Sequence, residues 1–148
     1  MFVSMIDSLE ELIHMTFAEL NAVRDLRREI EAERRRLEDL RACAGATARQ
    51  LDGLPHGKSL SSRVEKFAVQ IAECEARIEE LASAIVDEAA ELAAKIHGTI
   101  RKPLMSSAMV LRFCAGSPDS AIAMRLHITR DYVWKLCKRG VKLMTGAE

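Results

Sequence analysis

The chain has 148 residues, of which 4% are aromatic and 30% carry a formal charge. Ala, Leu, Glu and Arg dominate its first two thirds, a composition that favours long helices over β-sheet, so we predict an all-α fold. No apolar run approaches the roughly 18 residues that a membrane span needs, and no basic region followed by an apolar core marks a secretory signal. These features predict a cytoplasmic protein that does not bind a membrane.

The formal net charge of zero hides an uneven distribution along the chain. Residues 1–94 contain 12 Lys or Arg and 19 Asp or Glu, a net charge of −7. Residues 95–148 contain 10 Lys or Arg and 3 Asp or Glu, a net charge of +7. A basic C-terminal part on an acidic body indicates a polyanionic partner for that part. A solvated basic face without any partner is the alternative interpretation.

Two long helices joined by a loop are predicted in the first 98 residues. In the first helix, from Ile6 to about Ala44, apolar residues recur at helical spacing. Gly and Pro residues between positions 45 and 61 indicate a loop, where the chain folds back. The second helix is predicted to begin at Ser62, because Ser62 and Glu65 have the spacing of a capping box.

The second helix carries a heptad repeat, which is typical of a coiled coil. Its apolar positions form two registers, Val64, Ile71, Ile78, Ile85 and Leu92 in one and Phe67, Cys74 and Leu81 in the other. Because such a stripe needs a partner, we predict that residues 1–98 form a long antiparallel helical hairpin. Pairing about the loop would place Arg77 beside Glu31, an exposed ion pair that sets register. The pattern leaves open whether the helices pair within one chain or between chains.

Several residues that resemble chemical sites lack the context that the chemistry needs. Residues 53–59 are one residue short of the phosphate-binding G-x-x-x-x-G-K-S pattern, and no predicted strand precedes them. The four cysteines and four histidines have no metal-ligand spacing. No carboxylate pair or nucleophile with a base stands out either. We therefore predict no catalytic site, no metal and no cofactor, and a protein that is not an enzyme.

A small three-helix headpiece is predicted over residues 103–145. Pro103 suits the first position of its first helix, where the missing N–H costs no hydrogen bond. Ser117 is predicted to cap the second helix, with Pro118 at the first helical position. Thr129 is predicted to cap the third helix. The headpiece is therefore separated from the helical hairpin near residue 100.

Residues 119–137 have the spacing of a helix-turn-helix, a module that places its second helix in the DNA major groove. The apolar and small positions that two short crossing helices need are Ile122, Ala123, Leu126, Ile128, Val133 and Leu136. The recognition helix is predicted over residues 130–144, with Val133, Leu136, Cys137 and Gly140 facing inward. Trp134 is predicted to pack against the first headpiece helix, because large aromatic side chains are mostly buried. The alternative is that it stays exposed at a partner surface.

Eight polar side chains are left as candidates for DNA contact: Ser117, Arg125, Thr129, Arg130, Tyr132, Lys135, Lys138 and Arg139. Arg and Lys can donate hydrogen bonds to guanine O6 and N7, and the Tyr hydroxyl suits a phosphate or a base edge. Arg130, Tyr132 and Lys135 are expected nearest the groove. The sequence thus predicts double-stranded DNA as the partner of the headpiece.

The headpiece motif begins Leu111-Arg112-Phe113-Cys114-Ala115-Gly116 and continues to Leu136. This motif resembles region four of bacterial sigma factors and, more closely, the small phage- and prophage-encoded sigma-like regulators that include the ArpU-like group. The resemblance covers roughly residues 53–141 and departs at residues 118–121 and at His127, where the family usually has Gly. It implies a transcriptional regulator in a bacterial host cell that binds promoter DNA, RNA polymerase or both.

The leading hypothesis is therefore a DNA-binding transcriptional regulator of phage or prophage origin whose coiled coil forms a homodimer or docks a partner. A homodimer would place two recognition helices on two half-sites. One alternative is a DNA-packaging adaptor like the phage small terminase subunits, which join a helix-turn-helix to oligomerising helices. Another is a coiled-coil scaffold that binds protein and no DNA.

Overall fold

The computed structural model describes residues 14–51 and 58–146, and within them the chain is helical apart from short connections. In chain order the helices are α1 (Phe17–Leu20), α2 (Ala22–Leu51), α3 (Lys58–Thr99), α4 (Pro103–Phe113), α5 (Asp119–Leu126) and α6 (Arg130–Thr145). The all-α prediction is confirmed, since neither described range contains a strand. Across these two ranges, no helix combines the length and the apolar character that crossing a membrane requires.

The described residues divide into two compact units. The terminal unit consists of residues 14–25 and 85–146, and the central unit consists of residues 26–51 and 58–84. The terminal unit therefore combines the beginning of the described chain with the last part of α3 and all of the headpiece. Because it contains every candidate DNA contact, it is the unit that positions the site.

The first long helix differs from its predicted bounds. Residues 14–16 are not helical, and the one-turn helix α1 is separated from α2 at Asn21. The hydroxyl of Thr16 caps α1 by accepting a hydrogen bond of 3.1 Å from the backbone N–H of Glu19. Apolar residues of the predicted stripe that lie before position 14 are outside the described residues. Helical periodicity was correct for α2, but the cap at Thr16 was not recognised as a helix start.

The predicted loop over residues 45–61 was too long, and Ser62 does not begin the second helix. Helix α2 continues to Leu51, because residues after the single Gly45 are mostly good helix formers. Helix α3 begins at Lys58, so Ser62 lies inside it. A capping motif marks a position where a helix can start, but each further residue adds a backbone hydrogen bond, and a long helix therefore extends past such a motif.

In the central unit, side chains of α2 contact side chains of α3. Nη2 of Arg77 lies 3.1 Å from Oε1 of Glu29, and not beside Glu31 as predicted. Nη2 of Arg41 lies 2.9 Å from Oε1 of Glu75. All four side chains are about half exposed, so each pair contributes about 0 to 1 kcal/mol. Long Arg side chains reach several carboxylates at similar cost, and this is why a sequence register does not select the partner.

The thiol of Cys74 is buried between the two helices of the central unit. Its Sγ lies 3.2 Å from the carbonyl oxygen of Glu33 and 3.3 Å from the Oε2 atom of the same residue. Burial, followed by the hydrogen bond to the Glu33 carboxylate, raises the pKa of this thiol. Cys74 is therefore a protonated, packed side chain at neutral pH.

The headpiece helices begin close to their predicted positions, with one correction. Helix α4 starts at Pro103. The hydroxyl of Thr129 caps α6 by accepting a 3.2 Å hydrogen bond from the N–H of Tyr132. Helix α5 starts at Asp119, with Pro118 at the cap position and no side-chain cap, so the prediction of Ser117 as the cap was wrong. Pro118 itself has an extended backbone, with φ −71° and ψ 158°, so it takes the cap position and the helix starts one residue later than predicted.

The core of the headpiece is formed where α4, α5 and α6 meet. Its buried residues are Met105, Ala108, Met109, Phe113, Cys114, Ile122, Ala123, Val133, Leu136, Cys137, Gly140 and Met144. The four residues of α6 that were predicted to face inward are among them. One face of α6 is thus fixed by packing, and the opposite face is left to solvent.

Candidate nucleic-acid interface

A three-residue turn, from position 127 to 129, joins α5 to α6 and sets the angle between them. His127 closes α5 in the left-handed conformation, with φ 56° and ψ 44°. The N–H groups of His127 and Ile128 both donate to the carbonyl oxygen of Ala123. This is the position where the resembling family usually has Gly, and His adopts the same backbone conformation at some cost.

The left-handed backbone at position 127 makes a testable prediction about stability. We expect His127→Gly to raise the free energy of unfolding of the terminal unit by about 0.5 to 1 kcal/mol, because Gly has no Cβ to strain this conformation. As a matched control, Met124→Gly replaces an exposed residue inside α5 and should lower the free energy of unfolding by about 1 kcal/mol. Urea unfolding followed by the fluorescence of Trp134 measures both changes. Destabilisation by His127→Gly would contradict the expectation.

A close approach between α4 and α6 holds α6 in place. Gly140 is buried, and a Cβ atom built on it would lie 2.6 Å from Sδ of Met109. A glycine at this position therefore lets the backbone of α6 come nearer to α4 than any other residue allows. Since Met109 has no exposed surface, this contact is part of the core that orients α6.

The eight predicted DNA-contact residues all lie in the terminal unit, on α5, on α6 and beside the N-terminus of each. Seven of the eight side chains are exposed, namely Arg125, Thr129, Arg130, Tyr132, Lys135, Lys138 and Arg139, and Ser117 is half-buried. At about 100° per residue, Lys135 and Lys138 lie opposite the buried side of α6. Tyr132 and Arg139 lie on one flank of the helix. The fold thus presents a cationic surface along one side of α6.

Trp134 is 52% exposed, so the prediction that it packs against the first headpiece helix was wrong. Its position on α6 points to the other flank, away from the core. The ammonium group of Lys138 lies 4.9 Å from the centroid of the indole ring, within the range of a cation–π contact. The general preference of aromatic residues for burial did not apply here, because the three-helix core is filled by smaller side chains.

An ion pair that sequence reasoning missed ties the end of α4 to the start of α5. Nη1 of Arg112 lies 2.6 Å from Oδ1 of Asp119, and both side chains are mostly covered. The guanidinium of Arg112 also lies 5.9 Å from the ring centroid of Phe113. Asp119 also lies in the first turn of α5, where a negative charge is favourable. The pair joins residues on two different helices that come together in the folded headpiece, so no local pattern in the sequence predicts it.

Cys137 is buried in the headpiece core, close enough to this ion pair for both charges to act on its thiol. Burial raises the pKa of its thiol, and the positive charge of Arg112 opposes part of that shift. The thiol is therefore neutral at physiological pH and serves as a packed apolar group. Among the described residues, no group of three or more His, Cys, Asp or Glu side chains is arranged to hold a metal ion.

The N-terminal segment of the terminal unit is hydrogen-bonded to the end of α6. The N–H of Met15 donates a 3.1 Å hydrogen bond to the carbonyl oxygen of Met144. The guanidinium of Arg24 lies 5.8 Å from the ring centroid of Phe113. These contacts connect residues 14–25 to the headpiece, an association that helical periodicity in the sequence did not indicate.

Comparison of the chain with protein-family models, with curated proteins and with solved structures finds no match.

Proposed function

We propose that the chain is a DNA-binding transcriptional regulator of phage or prophage origin, in which α5 and α6 form a helix-turn-helix and α6 enters the major groove. The observation that carries the proposal is the exposed cationic surface of α6, on a helix whose other face is packed into the headpiece core. A left-handed residue at the turn and a capped start of α6 support it further. Positive charge held on a rigid helix is what phosphate and base recognition require.

The proposed roles follow from position on the helix. Arg130 opens α6 and Lys135 lies opposite the core, so both are assigned to base edges, where Arg and Lys donate to guanine. The hydroxyl of Thr129 already accepts the capping hydrogen bond, which leaves its O–H to donate to a phosphate. Tyr132 is assigned to a base edge or a phosphate. The remaining candidates, Ser117, Arg125, Lys138 and Arg139, are assigned to the DNA backbone.

Exposed apolar side chains outside the cationic surface of α6 suggest where protein partners bind. In α3 the heptad residues Val64, Phe67, Ile71 and Ile78 are only half-buried. Burial of this stripe in a coiled coil between two copies would produce a homodimer that reads two half-sites. The exposed flank of Trp134 is available to a protein, and RNA polymerase is the protein that the sigma-like resemblance implies.

Selection of bound sequences from a random duplex library tests the proposal. We expect the wild-type chain to enrich one motif, and the double variant Arg130→Ala/Lys135→Ala to lose it. Because each good base contact contributes about 1 to 3 kcal/mol, affinity for the selected site should fall by about 30-fold or more. The matched control is Arg63→Ala/Lys66→Ala, which removes the same two residue types from exposed positions on α3.

Other outcomes of this selection contradict the proposal in different ways. An unchanged motif in the double variant would exclude base readout by these two side chains. Weak, salt-sensitive binding without a motif, or no binding, would favour a polymerase-docking or scaffold protein. Light scattering is a separate test of the oligomeric state. A ring of subunits in solution would favour a DNA-packaging adaptor over a dimeric regulator.

A further inference from the structure

A second cluster of basic side chains lies at the opposite end of α6 from the proposed base contacts. Arg101 and Lys102, in the connection before α4, and Arg139 and Lys142, in the second half of α6, surround one cavity of about 450 Å³. All four side chains are exposed. Of these residues only Arg139 was predicted from the sequence to contact DNA. Arg101 and Lys102 lie in the short segment between the two predicted domains, outside the predicted helix-turn-helix.

The connection that carries Arg101 and Lys102 is anchored. Ile100 is 3% exposed, and its N–H donates a 2.8 Å hydrogen bond to the carbonyl oxygen of Ile96. The carbonyl oxygen of Lys102 accepts a 3.0 Å hydrogen bond from the N–H of Ser106. The backbone is therefore held on both sides of the two cations. Charges on a fixed backbone lose less conformational entropy when they bind than charges on a loose loop.

None of these four cations is paired with a carboxylate in the part of the chain that the structure describes. Elsewhere in that part, arginines do pair: those at positions 34, 41, 77 and 112 each lie within 3.1 Å of a carboxylate oxygen. Like charges that converge without a counter-charge repel one another. An anionic ligand would remove this repulsion, and several phosphates in a row would match four cations better than one carboxylate.

The length of α6 between its two basic ends matches the width of a DNA groove. Arg139 follows Arg130 by nine residues, which corresponds to about 13 Å at about 1.5 Å per residue. The major groove of B-DNA is about 12 Å wide. When the N-terminal end of α6 contacts base edges, its second half therefore reaches the strand that borders the groove. Lys142, one turn further on, and the anchored pair before α4 extend the contact along that strand.

We infer that Arg101, Lys102, Arg139 and Lys142 form a phosphate clamp on the DNA backbone that borders the groove occupied by α6. This inference rests on the proposed function. The clamp contributes affinity and orientation but no base selectivity, because phosphates are the same in every sequence. It assigns DNA contact to three residues, Arg101, Lys102 and Lys142, that lie outside the predicted helix-turn-helix contacts.

The test is the salt dependence of binding to a random-sequence DNA duplex, measured by fluorescence anisotropy between about 50 and 200 mM salt. Each phosphate contact adds about 0.9 to the slope of log affinity against log salt concentration. Arg101→Ala/Lys102→Ala should therefore reduce the magnitude of the slope by about 1.8, and the single variant Lys142→Ala by about 0.9. Arg63→Ala/Lys66→Ala removes the same charges elsewhere and should leave the slope unchanged.

Two further readouts separate this inference from the proposed function. The sequence motif selected by Arg101→Ala/Lys102→Ala should equal that of the wild type, and a changed motif would overturn the assignment to phosphate. Wild-type slopes in both clamp variants would overturn the clamp and leave the helix-turn-helix proposal intact. Failure of the wild type to bind DNA would overturn both. Lys142 is an exposed helical residue, so the single variant keeps the test valid if the double variant misfolds.

Discussion

Replacing Phe113 by Ala is expected to lower the free energy of unfolding of the terminal unit by about 3 to 5 kcal/mol, the range for a large aromatic side chain removed from a core. Phe113 is 2% exposed and ends α4, where it packs in the headpiece core. The guanidinium groups of Arg24 and Arg112 lie 5.8 and 5.9 Å from its ring centroid. The substitution therefore removes packing contacts, leaves a cavity and deprives two cations of an aromatic face.

Phe17→Ala is the matched control, because it makes the same chemical change at a side chain that is 58% exposed. Its effect should stay within about 0.5 kcal/mol. Trp134 is the single tryptophan of the chain and lies in the terminal unit, so its fluorescence during urea unfolding reports on that unit alone. Equal losses from the two substitutions would show that burial of Phe113 does not stabilise the headpiece.

Gly140→Val is expected to destabilise the terminal unit by about 2 to 3 kcal/mol. A Cβ at position 140 would lie 2.6 Å from Sδ and 2.7 Å from Cγ of Met109, which is fully buried. Extra atoms forced into a packed core cost about 1 to 3 kcal/mol, and a β-branched residue recovers little of the helix propensity that Gly lacks. The same fluorescence-monitored urea unfolding measures the loss.

Gly98→Val provides the comparison, since nothing lies within 4 Å of a Cβ built at that helical glycine. We expect it to change stability by less than about 0.5 kcal/mol. A second-site variant tests the mechanism: Gly140→Val should cost less when Met109 is already Ala, because the clashing atoms are gone. Equal costs in both backgrounds would mean that Met109 is not the cause.

Local patterns in the sequence predicted most of the helices. The helical periodicity of α3, Pro103 at the start of α4 and Thr129 as the cap of α6 each depend on residues a few positions apart, and each correctly predicted helix. The errors at Ser62 and Ser117 arose because more than one start was locally allowed. Extension of a long helix moved the first start to Lys58, and the extended backbone of Pro118 moved the second start to Asp119.

The candidate site was predictable where it follows from helical periodicity. Knowing which residues of α6 are apolar also identifies its exposed face, and the predicted contacts on α6 are exposed. Trp134 and the cluster around Arg101 were not predictable in this way. The exposure of Trp134 and the grouping of these cations depend on how neighbouring helices pack. That packing involves residues distant in sequence.

The terminal unit is discontinuous in sequence, and this has a consequence for synthesis on the ribosome. Residues 14–25 are made first but find their packing partners only in residues 85–146. At about 5 to 20 residues per second, the intervening stretch takes about 3 to 12 s to translate. Leu20 and Val23 are 0% and 1% exposed in the folded protein. During that interval, residues 85–146 are not yet present to cover them. The central unit is translated in that interval, so it can fold before residues 85–146 have been made.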